Sequence, residues 1–158
     1  MADFFSQQLA GNVALPVIKP TDPAYGGRTF RFRASINLGS LDSSTFGTKV
    51  TTGLTTADNL LLGRLPAGYV PDFGMITSSV SLGTSVIAIG TNKVHASNGQ
   101  YRAAATFTAV DTPTLFGVTA SMAALAALAA DTPIYLAVAT ATLPTSGTLI
   151  IDLYCNKP

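Results

Sequence analysis

The stretch Asn59 to Gly90, NLLLGRLPAGYVPDFGMITSSVSLGTSVIAIG, constrains the fold more than any other part of the chain. Apolar runs are divided there by Pro66-Ala67-Gly68 and by Ser81-Leu82-Gly83-Thr84. The punctuation predicts three strands: Asn59 to Leu65, about Tyr69 to Val80, and Ser85 to Gly90. Connections this short predict that the three lie antiparallel, as a meander. Leu60 and Leu62 fall on one face of the first strand and Leu61 and Leu65 on the other. Both faces want cover, which predicts a central strand or one at a subunit contact. Pro71 cannot donate a ladder bond, so the second strand is expected at a sheet edge or at a bulge.

The rest of the chain repeats this grammar. Arg28 to Leu38, RTFRFRASINL, places Phe30, Phe32, Ala34, Ile36 and Leu38 on one face and Arg31, Arg33, Ser35 and Asn37 on the other. Period-two alternation marks an antiparallel strand with one buried face. Gly39 to Thr48 reads as a polar turn region, with short strands at Lys49 to Thr52 and Thr114 to Val118. Tyr101 to Val110 is predicted as a strand with Tyr101, Ala103, Ala105, Phe107 and Ala109 on one side. Ile134 to Thr140 and Thr148 to Cys155 complete the set, the last with Leu149, Ile151, Leu153 and Cys155 inward. The Ala-rich run Thr119 to Ala130, with Met122, Leu125 and Leu128 every third residue, predicts one short helix. Roughly eight strands with Gly/Pro punctuation give an all-β fold: an antiparallel β-sandwich of jelly-roll type, or a barrel.

Met1 to Gly27 follows a different pattern. Pro16, Pro20 and Pro23 favour extended backbone, while Phe4, Phe5, Leu9, Val17 and Ile18 are apolar. We expect an extended N-terminal arm over 1–27 that docks on its own domain or on a neighbour, and a single sandwich domain over 28–158. Charge supports a partner. Only 11% of the 158 residues are charged, Glu is absent, and the net charge is +1. A lone soluble monomer normally carries more surface charge, so a homo-oligomer or larger assembly is expected. No run reaches the ~20 apolar residues of a membrane span, and no secretory signal opens the chain. The lone Cys155 permits no intrachain disulfide.

The residues offer little for chemistry. His95 is the only histidine, no Gly-x-Ser-x-Gly elbow occurs, and the aspartates are scattered, most of them at turns. A nucleophile needs a base beside it, and paired carboxylates or metal ligands need convergence. Asn92, His95 and Asn98 lack the acidic companions of a cation site. We therefore expect no catalytic residues, no metal and no cofactor. Arg31 and Arg33 alternate with Phe30 and Phe32 on opposite faces, and with the near-zero net charge this argues against sequence-specific nucleic-acid binding. The arginines are expected instead to meet acidic groups on a partner.

LLLGRLPAGYVPDFGMITSSVSLGTSVIAIGT, GQYRAAATFTAVDTPTLFG and ATLPTSGTLIIDLY, preceded by RTFRFRASINL, resemble small virion structural proteins of tailed bacteriophages. The resemblance covers about Arg28 to Tyr154 and rests on strand and turn patterns. It implies a non-enzymatic capsid decoration, cement or minor capsid protein, made in the host cytoplasm and carried on the capsid surface. It also implies the major capsid protein as partner, with a trimer favoured. The candidate interface residues are Phe4, Phe5, Leu9, Val17, Ile18, Arg31, Arg33 and Tyr69. The alternatives are a neck, tail or fibre component, or a carbohydrate-binding jelly-roll module using Tyr25, Tyr69 and Tyr101.

Overall fold

In the computed structural model the described residues are 3–5, 29–43, 49–50, 53–56, 58–117 and 125–157. Their strands are β1 (Asp3–Phe5), β2 (Thr29–Asn37), β3 (Leu41–Ser43), β4 (Lys49–Val50), β5 (Asn59–Leu65), β6 (Val70–Ser78), β7 (Val86–Gly90), β8 (Arg102–Thr106), β9 (Thr114–Phe116), β10 (Thr132–Ala139) and β11 (Thr148–Asn156). One sheet runs β4-β3-β1-β5-β10-β7-β8 and the other β2-β11-β6-β9.

The pairing follows one rule. Strand β2 pairs with β11, β5 with β10, β6 with β9, and β7 with β8, all antiparallel. The chain is thus a long two-stranded ribbon with its bend between β7 and β8. Rolled up, the ribbon is joined edge to edge where β11 meets β6 and β10 meets β7. That is the jelly-roll architecture expected from the strand pattern. The β1, β3 and β4 strands widen one sheet, and β1 runs parallel to β5, so the sandwich is not purely antiparallel.

The meander expected over Asn59 to Gly90 does not form. Strands β5 and β7 lie in one sheet and β6 in the other. The turn at Pro66 to Tyr69 spans the ~10 Å between facing sheets instead of folding two strands side by side. Each strand then gives its apolar row to the shared core, and β5 is central, between β1 and β10. Pro71 sits beside a register shift, with Tyr154 opposite Phe73 and Cys155 opposite Pro71, which is the expected bulge. A second bulge on β5 places Ile134 opposite Gly63 and Tyr135 opposite Leu61. The extra residue resets the alternation, so that Leu60, Leu62 and Leu65 are all buried in the core.

Two glycines make room for aromatic rings on other strands. A Cβ on Gly63 would stand 2.6 Å from the Phe32 ring of the opposite sheet. On Gly74 it would meet the ring of Phe116, the register partner on β9. Large rings on one strand thus occupy the space that glycine leaves on another.

Three further expectations change. Residues 125–128 are irregular, not helical, and 118–124 fall outside the described residues. Leu128 exchanges both backbone bonds with the Gly68–Tyr69 turn, its N–H donating to Tyr69 O at 2.9 Å and its carbonyl accepting from Gly68 at 2.8 Å. A backbone committed in this way cannot close helical bonds, and a short Ala-rich helix depends on tertiary support. The only described helical turn is a 3-10 turn at His95–Ser97. Second, β8 ends at Thr106 and exposes Ala103 and Ala105, because it is an edge strand with a bulge opposite β7. Third, Leu41–Ser43 is a strand where a turn was expected, with Leu41 in the core. Of the arm expected over 1–27, only Asp3–Phe5 is described, as a strand inside the sheet.

Burial leaves a titration signature. Removal from water pushes the Tyr101 hydroxyl from 10.0 up to about 12 and the Cys155 thiol from 9.0 up to about 12. Nearby Cys155 adds to the first shift and Asp72 to the second. The folded state holds both protons more tightly than the unfolded chain. Stability from these groups is therefore complete below about pH 9 and is lost as pH rises toward 12. The urea midpoint should be level from pH 7 to about 8.5 and then fall, and Cys155 should resist an aromatic disulfide reagent until the protein unfolds. A midpoint that holds through pH 11, or a rapidly modified native thiol, would contradict this.

Candidate functional site

The alternation that buries Leu149, Ile151, Leu153 and Cys155 turns Ile150, Asp152 and Tyr154 to the outside of the four-stranded sheet. Register then fixes the rows across that outer face. Arg31, Tyr154 and Phe73 form one; Arg33, Asp152, Met75 and Leu115 the next; Ser35, Ile150 and Thr77 a third. An outer sheet face is normally polar. This one is largely apolar at its centre, with Phe73, Met75, Ile150 and Tyr154 half-buried and Leu115 on the edge strand β9 59% exposed. The Phe73 and Tyr154 rings stack with centroids 4.6 Å apart and planes 13° from parallel.

An ion pair crosses the face. Arg33 donates from Nε and Nη2 to the two carboxylate oxygens of Asp152, each at 2.7 Å. This fork-to-fork geometry is the strongest form of such a contact. The hydrogen bond and the charge of Asp152 raise the Arg33 pKa further above its ordinary value. Asp152 is almost fully buried, whereas the Arg33 side chain is 41% exposed. Arg31, next along the strand, is exposed. The face therefore joins an apolar centre to a cationic margin on β2.

The structure distributes the expected interface residues unevenly. Arg31 and Arg33 lie together on this face, as alternation predicted. Phe4 and Phe5 contribute backbone to β1. Leu9, Val17 and Ile18 fall outside the described residues. Tyr69 is not on the surface: it is 7% exposed, in the core, with its ring 5.4 Å from that of Phe30. The turn that carries it drops back between the sheets. Sequence reasoning missed Met75, Leu115, Ile150, Tyr154 and Asp152. A signal existed for the last, since Asp152 stands mid-strand among Ile and Leu and needs a cation opposite.

Elsewhere, side chains are spent on structure. His95 is half-buried and its Nε2 has no partner. In the same loop Asn98 donates to Ala88 O and Tyr135 O, Asn92 accepts from Val94 N–H, and Gln100 accepts from Thr91 N–H. Those asparagines hold their own loop together and are committed to it. Among the described residues no three His, Cys or Asp side chains converge on a point that could hold a metal, and no helix is long and apolar enough to cross a membrane. Asn59 is fully buried on β5, and neither its Oδ1 nor its Nδ2 has a hydrogen-bond partner. An orphaned buried polar group costs about 1–3 kcal/mol.

No protein-family model matches the chain, and no curated protein does. Solved structures with the same fold include a chain of the capsid of Ralstonia phage GP4, with a TM-score of 0.65 and 15% identity over 99% of each chain. A chain of the cyanophage Pam1 capsid asymmetric unit gives a TM-score of 0.59 at 18% identity, over 93% of this chain and 97% of that one. At such identities the likeness is one of fold.

Proposed function

We propose that this chain is a non-enzymatic structural protein of a phage virion, which decorates or cements the capsid by binding major capsid subunits. The observation that carries the reading is the fold likeness, over 99% and 93% of this chain, to chains found in two phage capsids. The apolar outer face of β2-β11-β6-β9 and the chain's low charge fit a protein covered by neighbours. The mechanism is linkage: a protein that binds the assembled shell, and not its free subunits, stabilises the shell by its binding free energy. The arm residues and the Arg31–Arg33 margin belong to the same proposal, as contacts to acidic and apolar ground on the shell. So do a trimeric state and a place on the capsid surface. The carbohydrate-binding reading loses support, because Tyr69 and Tyr101 are both in the core.

The test is sedimentation of purified protein with shells lacking it, followed by cryo-electron microscopy of the particle. The wild-type chain should co-sediment and appear as density on the shell. Replacing Met75 and Leu115 by Asp, both on the outer face, should abolish co-sedimentation while the circular dichroism spectrum is unchanged. Full binding by that variant would refute the assignment of the face. Density at the neck, tail or fibre and none on the shell would refute the decoration role.

A further inference from the structure

We infer that, in the free protein, the outer face of the four-stranded sheet pairs with the same face of a second copy, about a two-fold axis along β11. A two-fold contact uses one patch on both copies, so the patch must be complementary to itself. This face meets that condition: its cation and its anion lie on opposite sides of β11, with apolar ground between. Arg31 is on β2 and Asp72 on β6, and the row Arg31, Tyr154, Phe73 joins the two strands beside Asp72. Both charged residues are exposed.

The bulge on β6 sets this arrangement. Tyr154 pairs with Phe73 and Cys155 with Pro71, so Asp72 is the extra residue. Its carboxylate reaches the outer row of β11, where Oδ2 accepts from Asn156 Nδ2 at 3.1 Å. A carboxylate so bonded keeps lone pairs for a further donor. Arg33, next along β2, is already met by Asp152. Arg31 on one flank and Asp72 on the other are left to meet groups from outside.

Neighbouring strands are about 4.8 Å apart, so Arg31 and Asp72 stand roughly 5 Å to either side of β11. A half-turn about an axis along β11 exchanges the two flanks and lays the second sheet face down on the first. Each Arg31 then faces the second copy's Asp72, and the Tyr154 and Phe73 rings of both copies lie between the two pairs. An axis across the strands at this row would instead set Arg31 on Arg31, a like-charge contact. The patch covered is the apolar one: Phe73, Met75, Ile150 and Tyr154 are half-buried and Leu115 is 59% exposed. A net charge of +1 leaves little repulsion to hold two copies apart.

Area sets the strength. Strands β2, β6 and β11, nine residues each, and the short β9 span the face. Together they measure roughly 19 Å by 30 Å, on the order of 500 Å², short of the ~800 Å² per partner of a standard interface. The pair is therefore weak and concentration-dependent, and it belongs to the free protein. The shell proposed above takes the same face, and the trimeric state proposed above is one on the shell. The pairing itself does not depend on that reading.

The test is sedimentation velocity on the full chain, without shells, over a range of concentrations. The wild-type mass should rise toward twice the 16.2 kDa chain mass and level there. Arg31→Asp leaves acid on both flanks and Asp72→Arg leaves base on both, so each variant alone should stay monomeric at the same concentrations. Mixed in equal amounts, the two variants restore both ion pairs, and the dimer mass should return. Rescue by mixing also shows that both variants are folded, and the double variant Arg31→Asp/Asp72→Arg should pair with itself. A wild-type chain that is monomeric throughout, or that passes to three times the chain mass, overturns the inference. So do single variants that pair as the wild type does, or a mixture that stays monomeric. Co-sedimentation with shells is read separately, so either result can fail while the other stands.

Discussion

Ile151→Ala is expected to lower stability by about 2–5 kcal/mol, measured as a fall in the urea midpoint and a drop of roughly 10 °C in Tm. Ile151 is fully buried on β11, a strand hydrogen-bonded on both sides in the four-stranded sheet. Its register neighbours are Ala34 on β2 and Ile76 on β6, so both flanks of the lost side chain are fixed by the sheet. Ala34 is too small to fill the space, and a backbone held by two ladders cannot collapse into it. Truncation therefore loses the transfer energy of the removed atoms and leaves a cavity. Ile151→Val, which removes one methylene, should cost about 0.5–1.5 kcal/mol. Equal stability of the two variants would mean that the site relaxes, and would contradict the packing described.

Arg102→Leu should cost on the order of 2–4 kcal/mol and release β8 from β7. Arg102 is only 9% exposed, and its guanidinium faces backbone carbonyls. Nη1 donates to Ile87 O at 2.5 Å and Ala105 O at 3.1 Å, and Nη2 donates to Thr106 O at 3.1 Å. These bonds span the bulge where the β7–β8 register shifts between Ile87 and Ile89. Desolvation lowers the Arg102 pKa, yet a guanidinium stays charged at any ordinary pH. Leucine would remove every hydrogen bond that the guanidinium gives these three carbonyls. Lysine would recover little, since one ammonium cannot match a fork aimed at three separated oxygens. Hydrogen exchange at the β7 and β8 amides gives the local reading. Unchanged protection in Arg102→Leu would show that the ladder alone holds the edge.

These two residues mark where the sequence was legible. Ile151 was placed inward by simple alternation, as were Phe32, Ala34, Ile36 and Leu153, because a half-buried strand writes its burial into every second residue. Asn59 to Leu65 was located to the residue, and the Pro71 bulge followed from a missing donor. Arg102 could not be read this way. Nothing local distinguishes an arginine that bonds carbonyls across a bulge from one that points to water. The sheet assignment of β5, β6 and β7 was also hidden, since a short turn serves equally for a hairpin or for a crossing between sheets. Leu128 illustrates competition between levels: local propensity asked for a helix, and the backbone bonds of Gly68 and Tyr69 prevailed. The outer face was half legible. Its arginines were found, but their counterpart Asp152 lies 119 residues from Arg33, and only the register brings the two together.

The rolled ribbon also has a consequence in time. Its last described strand, Thr148–Asn156, is an inner member of its sheet, bonded to β2 on one side and β6 on the other. Until that segment leaves the ribosome, β2 and β6 have no neighbour in common, and β2 has no partner in its own sheet. The sheet can therefore be completed only after synthesis of nearly all of the chain described here. It must also form through pairings of large sequence separation, which are the slow kind. During that interval the nascent chain exposes strands with open edges, the state most prone to pair with the wrong partner.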